Sequence, residues 1–324
     1  MLIEAREEVW PLNQPFRISR GSRTEAQVVV VTVTDGQRSG RGEAVPIKRY
    51  NQSVASVLAQ IESIKGEKDL NRPQLQTLLP AGAARNALDC ALWDLEAKKS
   101  GKRVWELTNL EMKSGVETSF TISLDTPEKM GAAAKAKASA PILKLKLGGD
   151  DLDLARVEAV REAAPAARLL IDANESWSPA HYREIVPALK GLSVELIEQP
   201  FPANEDDILE TLDHPIPVCA DESCHTSADL PRLMNRYDVL NVKLDKTGGL
   251  TEALRLCEHG RENGFKLLIG CMVGTSLSMA PARVLASAAD YVDLDGPLLL
   301  ARDRDHGLNY QNGKIAIPNQ ELWG

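Results

Sequence analysis

Between residues 142 and 246 the chain repeats one pattern, a short apolar run closed by a charged residue. The runs are Ile142-Leu-Lys-Leu-Lys146, Leu169-Leu-Ile-Asp172, Val194-Glu-Leu-Ile-Glu198, Val218-Cys-Ala-Asp221 and Val239-Leu-Asn-Val-Lys243. Their charged tips lie 26, 26, 23 and 22 residues apart. Strand-length runs repeated at the spacing of one helix plus its loops predict consecutive parallel βα units. The full count is eight strands, at 116–123, 142–147, 168–174, 194–200, 217–223, 238–244, 266–272 and 291–297, with helix-like stretches such as 130–140, 152–163 and 250–263 between them. Eight strands at this spacing favour a closed barrel over an open sheet. No GxGxxG follows any of them, so a dinucleotide fold has no support. In a barrel the charged tips gather at the C-terminal mouth, where such folds place their chemistry.

The first 112 residues follow a different rhythm. Val28-Val-Val-Val-Thr-Val-Thr34 predicts a strand, and Asp35-Gly36 a hairpin turn. Phe16–Glu25 is polar, carries three arginines and has no clear period, which predicts a loop. From 54 to 107 the period turns helical: Ala84, Ala87, Leu88, Ala91, Leu92 and Leu95 form one stripe, Lys98 and Lys99 close the last turn, and Gly101 is the stop. A stripe so rich in alanine predicts close packing against a neighbour. Strands followed by helices without alternation predict a small α+β domain over 1–112. The barrel then spans 113–302, and the polar tail 303–324, with Lys314-Ile-Ala-Ile, is expected to return to the first domain.

Composition narrows the classes of function. The 324 residues are 43% hydrophobic and 26% charged, ordinary for a globular protein, and 324 residues can hold one large and one smaller domain. A net charge of −8 argues against a nucleic-acid partner, which needs a basic face. No apolar run reaches the roughly 18 residues of a membrane span. The acidic start, Met1-Leu-Ile-Glu-Ala-Arg-Glu-Glu, does not resemble a signal peptide. Five cysteines without a CxxC pair fit buried thiols in a reducing cytoplasm.

Residues two apart on a strand share a face, so Lys144 and Lys146 pair, as do Asp293 and Asp295. Asp172, Glu198 and Asp221 place three hard oxygen donors on consecutive strands, a set suited to one Mg²⁺. A structural network of acids and lysines is the alternative. Lysine beside a divalent cation is held at a lower pKa, so Lys146 and Lys243 could serve as acid/base pairs on opposite sides of a substrate carboxylate. One would remove an α-proton while Mg²⁺ stabilises the enediolate, and the other would return a proton to the opposite face. Lys246 rivals Lys243 but falls past the strand end on the opposite parity.

Together KLK, DAN, EQP, ADES and NVKLDKTGG resemble the enolase superfamily in its muconate-lactonising branch. Asp293-Leu-Asp295-Gly-Pro and the Ala84–Leu95 helix narrow the likeness to dipeptide epimerases, closest to the L-Ala-D/L-Glu type. The resemblance covers essentially the whole chain. It implies a (β/α)7β barrel with an N-terminal α+β capping domain. It also implies an isomerase acting on dipeptides from cell-wall turnover, with Asp172, Glu198 and Asp221 as ligands of one Mg²⁺ per subunit and Lys146 and Lys243 as acid/bases. Lys144 would sit beside the substrate carboxylate, and Asp293 and Asp295 would bind the substrate ammonium. Arg23, with Arg20 second, would meet the glutamate side chain. Cycloisomerisation, o-succinylbenzoate synthesis and N-acyl amino acid racemisation are other reactions of the same scaffold, and a silent binding protein is the third reading. A homo-oligomer suits such barrels, though no surface stripe marks one. The seventh strand departs from many members: Gly270-Cys-Met is followed by Val-Gly-Thr, not by glutamate and serine.

Overall fold

The computed structural model describes residues 1–67 and 70–324. Strands β1 (Leu2–Ile18), β2 (Gly21–Asp35) and β3 (Arg38–Ala44) form an antiparallel sheet in that order. The continuous valine run of β2 is explained by what covers its two faces. Val28 and Val30 pack into the core shared with the barrel, whereas Val29, Val31 and Val33 pack under the helices of the first unit. A strand buried on both sides has no polar face to display.

Those helices are α1 (Val54–Ser63), α2 (Arg72–Leu78) and α3 (Ala83–Ser100). Side chains of Ser53 and Asn71 cap the first two, and Gly101, with φ 71°, takes the left-handed turn that ends α3. The neighbour demanded by the alanine stripe is β3. A Cβ on Gly40 would overlap the carbonyl oxygen of Ala91, and one on Gly42 that of Ala87. Glycine on the strand and alanine on the helix thus let two backbones touch.

One expectation fails here. Phe16–Glu25 is not a loop but the tip of the β1–β2 hairpin, with Ile18 paired to Gly21 across a turn at Ser19-Arg20. Phe16 and Ile18 meet the core, but Gly21–Glu25 is exposed, so no core face impresses a period on that stretch.

After the short β4 (Gly115–Glu117) come the eight barrel strands: β5 (Ser119–Ile122), β6 (Ile142–Lys146), β7 (Arg168–Asp172), β8 (Val194–Glu198), β9 (Val218–Ala220), β10 (Val239–Val242), β11 (Lys266–Gly270) and β12 (Tyr291–Asp293). Each is parallel to the next, in sequence order. Side chains stitch the seam between β12 and β5: Leu294 N donates to Thr118 Oγ1 at 2.9 Å, and Thr121 N donates to Asp295 Oδ2 at 2.7 Å. The architecture is a (β/α)7β barrel beside an N-terminal α+β unit.

The tail meets both units: Arg304 pairs with Glu8 at 2.6 Å and with Glu43 at 2.7 Å on the first sheet. β13 (Tyr310–Gln311) and β14 (Lys314–Ala316) pair with β4. Only the last residues reach α3, where Trp323 Nε1 donates to Cys90 O at 3.0 Å and Gly324 N to Asp94 Oδ1 at 2.7 Å. No helix among the described residues is long and apolar enough to cross a membrane.

Candidate active site

The barrel lumen is layered. Its floor is a buried apolar plug of Ile142, Leu170, Leu196, Cys219, Val239, Leu268 and Tyr291. Two residues further along every one of these strands but β11 the same face turns polar. Lys144, Asp172, Glu198 and Asp221 stand above the plug, with Asn241 and Asp293 closing the layer, and every one of them is buried. Lys146 and Lys243 lie one step nearer the mouth, on or just past β6 and β10. Those strands are four apart in a ring of eight, so the two amines approach from opposite walls.

The three acids converge, with one oxygen from each within 4.8 Å of the others. In each acid one oxygen is pinned by a fixed donor. Asn174 N donates to Asp172 Oδ1 at 2.9 Å, Asn241 Nδ2 to Glu198 Oε1 at 2.8 Å, and Lys246 Nζ to Asp221 Oδ1 at 2.7 Å. The second oxygens face the lysines. Lys146 lies 2.5 Å from Asp172 Oδ2 and Lys243 2.6 Å from Asp221 Oδ2. Lys144 lies 2.7 Å from Glu198 Oε2, but outside hydrogen-bond geometry, so that buried oxygen has no hydrogen-bond donor.

This crowding sets the charges. Burial, then Asp172, pushes the Glu198 carboxyl up to about 8. Burial also opposes ionisation of Asp172 and Asp221, yet the lysines beside them hold both below the usual carboxylate range. For Lys243, burial disfavours the charged amine, but Asp221 and Glu198 outweigh it and raise its pKa. The near neighbours of this amine are anions. A divalent cation among the same oxygens would supply the missing positive charge and push the other way. Three hard donors, one of them with an oxygen that no hydrogen-bond donor reaches, fit such an ion.

The remaining site residues divide. Lys144 is buried among three carboxylates, 2.7 Å from Asp293 and 3.2 Å from Asp172 besides Glu198. Lys246, on the short helix Leu244–Thr247, spends its amine on Asp221 and on the carbonyl of Asn241 at 2.9 Å. Asp293 also accepts from Ser119 Oγ at 2.5 Å. The strand ends there, so Asp293 and Asp295 do not share a strand face as their spacing predicts; Asp295 opens the short helix Gly296–Leu299. Burial, then Asp293, pushes the Asp295 carboxyl up to about 7.

At the hairpin tip, Arg20 is occupied. It pairs with Glu175 at 3.0 Å and Glu222 at 2.6 Å and donates to Asn174 O, tying the tip to the loops after β7 and β9. Arg23 is exposed and carries no ion pair among the described residues. His225 stacks edge-on against Tyr50 and meets none of the three acids.

Sequence reasoning passed over Asn241 and Gln199. Asn241 could have been found by parity, two residues before Lys243 on an inward face. Gln199 left no such signal. With φ 37° it turns the chain past β8, and its side-chain oxygen accepts from Asp221 N and Ser223 N at 2.9 and 3.1 Å. That glutamine holds the third acid's backbone.

Residues 2–108 match the mandelate racemase/muconate lactonizing enzyme N-terminal domain, and residues 129–321 the enolase C-terminal domain-like family. The chain is 46% identical over 319 residues to the L-Ala-D/L-Glu epimerase of Escherichia coli (strain K12), covering 97% of this chain and 99% of that one. It is 47% identical over 301 residues to the N-acetyl-D-glutamate racemase of a Pseudoalteromonas species, covering 92% and 95%. Among solved structures, an enolase family member from Agrobacterium tumefaciens, with homology to dipeptide epimerases and holding sodium and L-Ala-L-Glu, superposes with a TM-score of 0.97 at 47% identity and 99% coverage of both chains.

Proposed function

This chain belongs to the mandelate racemase/muconate lactonizing enzyme family of the enolase superfamily, and on that premise we propose that it epimerises dipeptides, interconverting L-Ala-D-Glu and L-Ala-L-Glu with Mg²⁺. The observation that carries this reading is the placement of Lys146 and Lys243 on opposite walls above three convergent acids. A proton can leave the glutamate α-carbon toward one amine and arrive from the other, which inverts the centre. For the opposite epimer the two lysines exchange roles.

Asp172, Glu198 and Asp221 would hold Mg²⁺, which when bound supplies positive charge opposite the substrate carboxylate and favours loss of the neighbouring proton. Lys144, locked among carboxylates, keeps charge in the layer beneath and steadies the acids. Asp295, with Asp293 behind it, would receive the substrate ammonium. Arg23 would meet the glutamate side chain, since Arg20 is already committed to Glu175 and Glu222. We place the boundary of the capping domain near residue 112 and that of the barrel near 302, with 303–324 returning toward the cap. All five cysteines are free thiols, the state of a reducing cytoplasm, where dipeptides from cell-wall turnover would be met.

A second reading, racemisation of N-acyl glutamate, is favoured by the 47% identity to the N-acetyl-D-glutamate racemase and by Asp293 being already paired with Lys144. Steady-state rates on L-Ala-D-Glu and N-acetyl-D-glutamate, both with Mg²⁺, separate the two. The dipeptide reading expects kcat/KM for the dipeptide to exceed that for the acyl substrate by roughly a hundredfold or more, as a buried anion left without its ammonium implies. A preference for the acyl substrate overturns it.

A further inference from the structure

The seventh strand contributes no side chain to the polar layer: its position there is Gly270. That space is filled from β10. A Cβ on Gly270 would overlap Asn241 Oδ1 and lie 3.0 Å from Asn241 Nδ2. Asn241 is fully buried, and it uses Nδ2 to hold Glu198 Oε1 at 2.8 Å. The opposite orientation of the amide would set two acceptors against each other, so chemistry fixes the donor toward the carboxylate.

Two atoms here have no hydrogen-bond donor, Asn241 Oδ1 and Glu198 Oε2. Leaving a buried amide oxygen without a donor is unfavourable. The hydrogen bond the Asn241 side chain makes among the described residues is the one it gives to Glu198. What its seat achieves is to occupy Oε1 of Glu198 and leave Oε2, which lies 2.7 Å from Lys144, without a hydrogen-bond donor. The same residue reaches a second acid through its backbone, because Lys246 bridges Asn241 O and Asp221.

We propose that Asn241, seated in the gap left by Gly270, is a positioning residue that makes Glu198 a one-oxygen ligand and so sets the cation affinity of the site. This rests on the reading of the three acids as Mg²⁺ ligands. Oε2 of Glu198 already lies 2.7 Å from Lys144; without the amide Oε1 is also free to turn, toward Lys243 now 3.9 Å away. A side chain at position 270 would expel the amide and have the same effect from the neighbouring strand.

The test is calorimetric titration of Mg²⁺ into the full chain without substrate, for the parent, Asn241→Ala, Gly270→Ala and the double variant. Outer contacts of metal ligands are typically worth about 10–100-fold in affinity, so each single variant should weaken Mg²⁺ by at least about tenfold. The double variant should be no weaker than the weaker single within about twofold, since both changes remove one contact. Metal-free melting curves run alongside. A purely structural role lowers the melting temperature and leaves the Mg²⁺ affinity unmoved. Asn241→Ala binding Mg²⁺ like the parent, or losses that add in the double variant, overturns the inference. Should Gly270→Ala not fold, Asn241→Ala decides alone, because it leaves a void rather than a clash. A parent that binds no Mg²⁺ removes the ligand reading and this inference together; parental affinity unaltered in Asn241→Ala removes the inference only.

Discussion

Lys144 and Asp293 form a buried ion pair across the lumen, Nζ to Oδ2 at 2.7 Å, between the second and last strands of the barrel. The pair halves the negative charge that the Asp293-Leu-Asp295 sequence offers to a ligand. Burial disfavours the Asp293 carboxylate, but Lys144 holds it ionised. On the proposed dipeptide reading, recognition of a substrate ammonium then falls mainly to Asp295.

Replacing Asp295 by Asn tests that division. The amide oxygen can still accept from Thr121 N, so the barrel seam should hold. Loss of a charged partner for the ammonium should lower kcat/KM on L-Ala-D-Glu by about 100-fold or more, while Mg²⁺ affinity stays at the parental value. Unchanged turnover removes Asp295 from substrate recognition.

The two lysines should fail in a complementary way. Lys146→Ala and Lys243→Ala should each reduce epimerisation by at least about 10²–10⁴-fold, the usual range for a positioned acid or base. Each variant retains one wall, so any residual solvent exchange should be confined to one epimer, and to the opposite epimer in the other variant. NMR of each epimer in deuterated water reads this directly. Exchange of both epimers in both variants contradicts the two-wall arrangement.

Arg23 and Arg20 should separate by phenotype. Arg23→Met should lower kcat/KM on Xaa-Glu dipeptides by roughly tenfold or more, with much less effect on dipeptides whose second side chain is neutral. Arg20→Met breaks contacts to Glu175 and Glu222 and should slow all dipeptides alike. The reverse pattern would exchange their roles.

Much of this was legible in the sequence, and the exceptions have physical causes. Five of the strands were readable because each apolar run closes at a charge, as at Lys146, Asp172 and Glu198, and parity places Lys144 beneath Lys146. The hairpin tip was not, since Arg20 and Arg23 sit where no core imposes alternation. Asp295 escaped the parity rule because β12 stops at Asp293 and the chain turns into a helix. The duty of Gly270 could not be seen at all, because a glycine that matters through its missing side chain resembles any other glycine until the neighbouring strand is placed.

The junction between cap and barrel should respond to pH. Asp245 is buried, accepts from Val45 N at 2.8 Å and Asn86 Nδ2 at 2.9 Å, and is pushed up to about 7 by burial, with Glu43 adding to it. Between about pH 4 and pH 7 the folded protein keeps a proton that the unfolded chain has released, so this residue makes stability fall as pH rises through that window. Asp245→Asn keeps an acceptor without the charge. It should melt higher than the parent at pH 8, with the gap closing toward pH 4. A gap independent of pH contradicts the assignment.

The most direct test of the account follows the glutamate α-proton of L-Ala-D-Glu by NMR in deuterated water with Mg²⁺. The two-lysine site predicts deuterium at the α-carbon together with appearance of L-Ala-L-Glu, both lost when the metal is chelated and regained when Mg²⁺ is restored. An α-proton that stays in place, on this and other Xaa-Glu dipeptides, would contradict the proposed reaction.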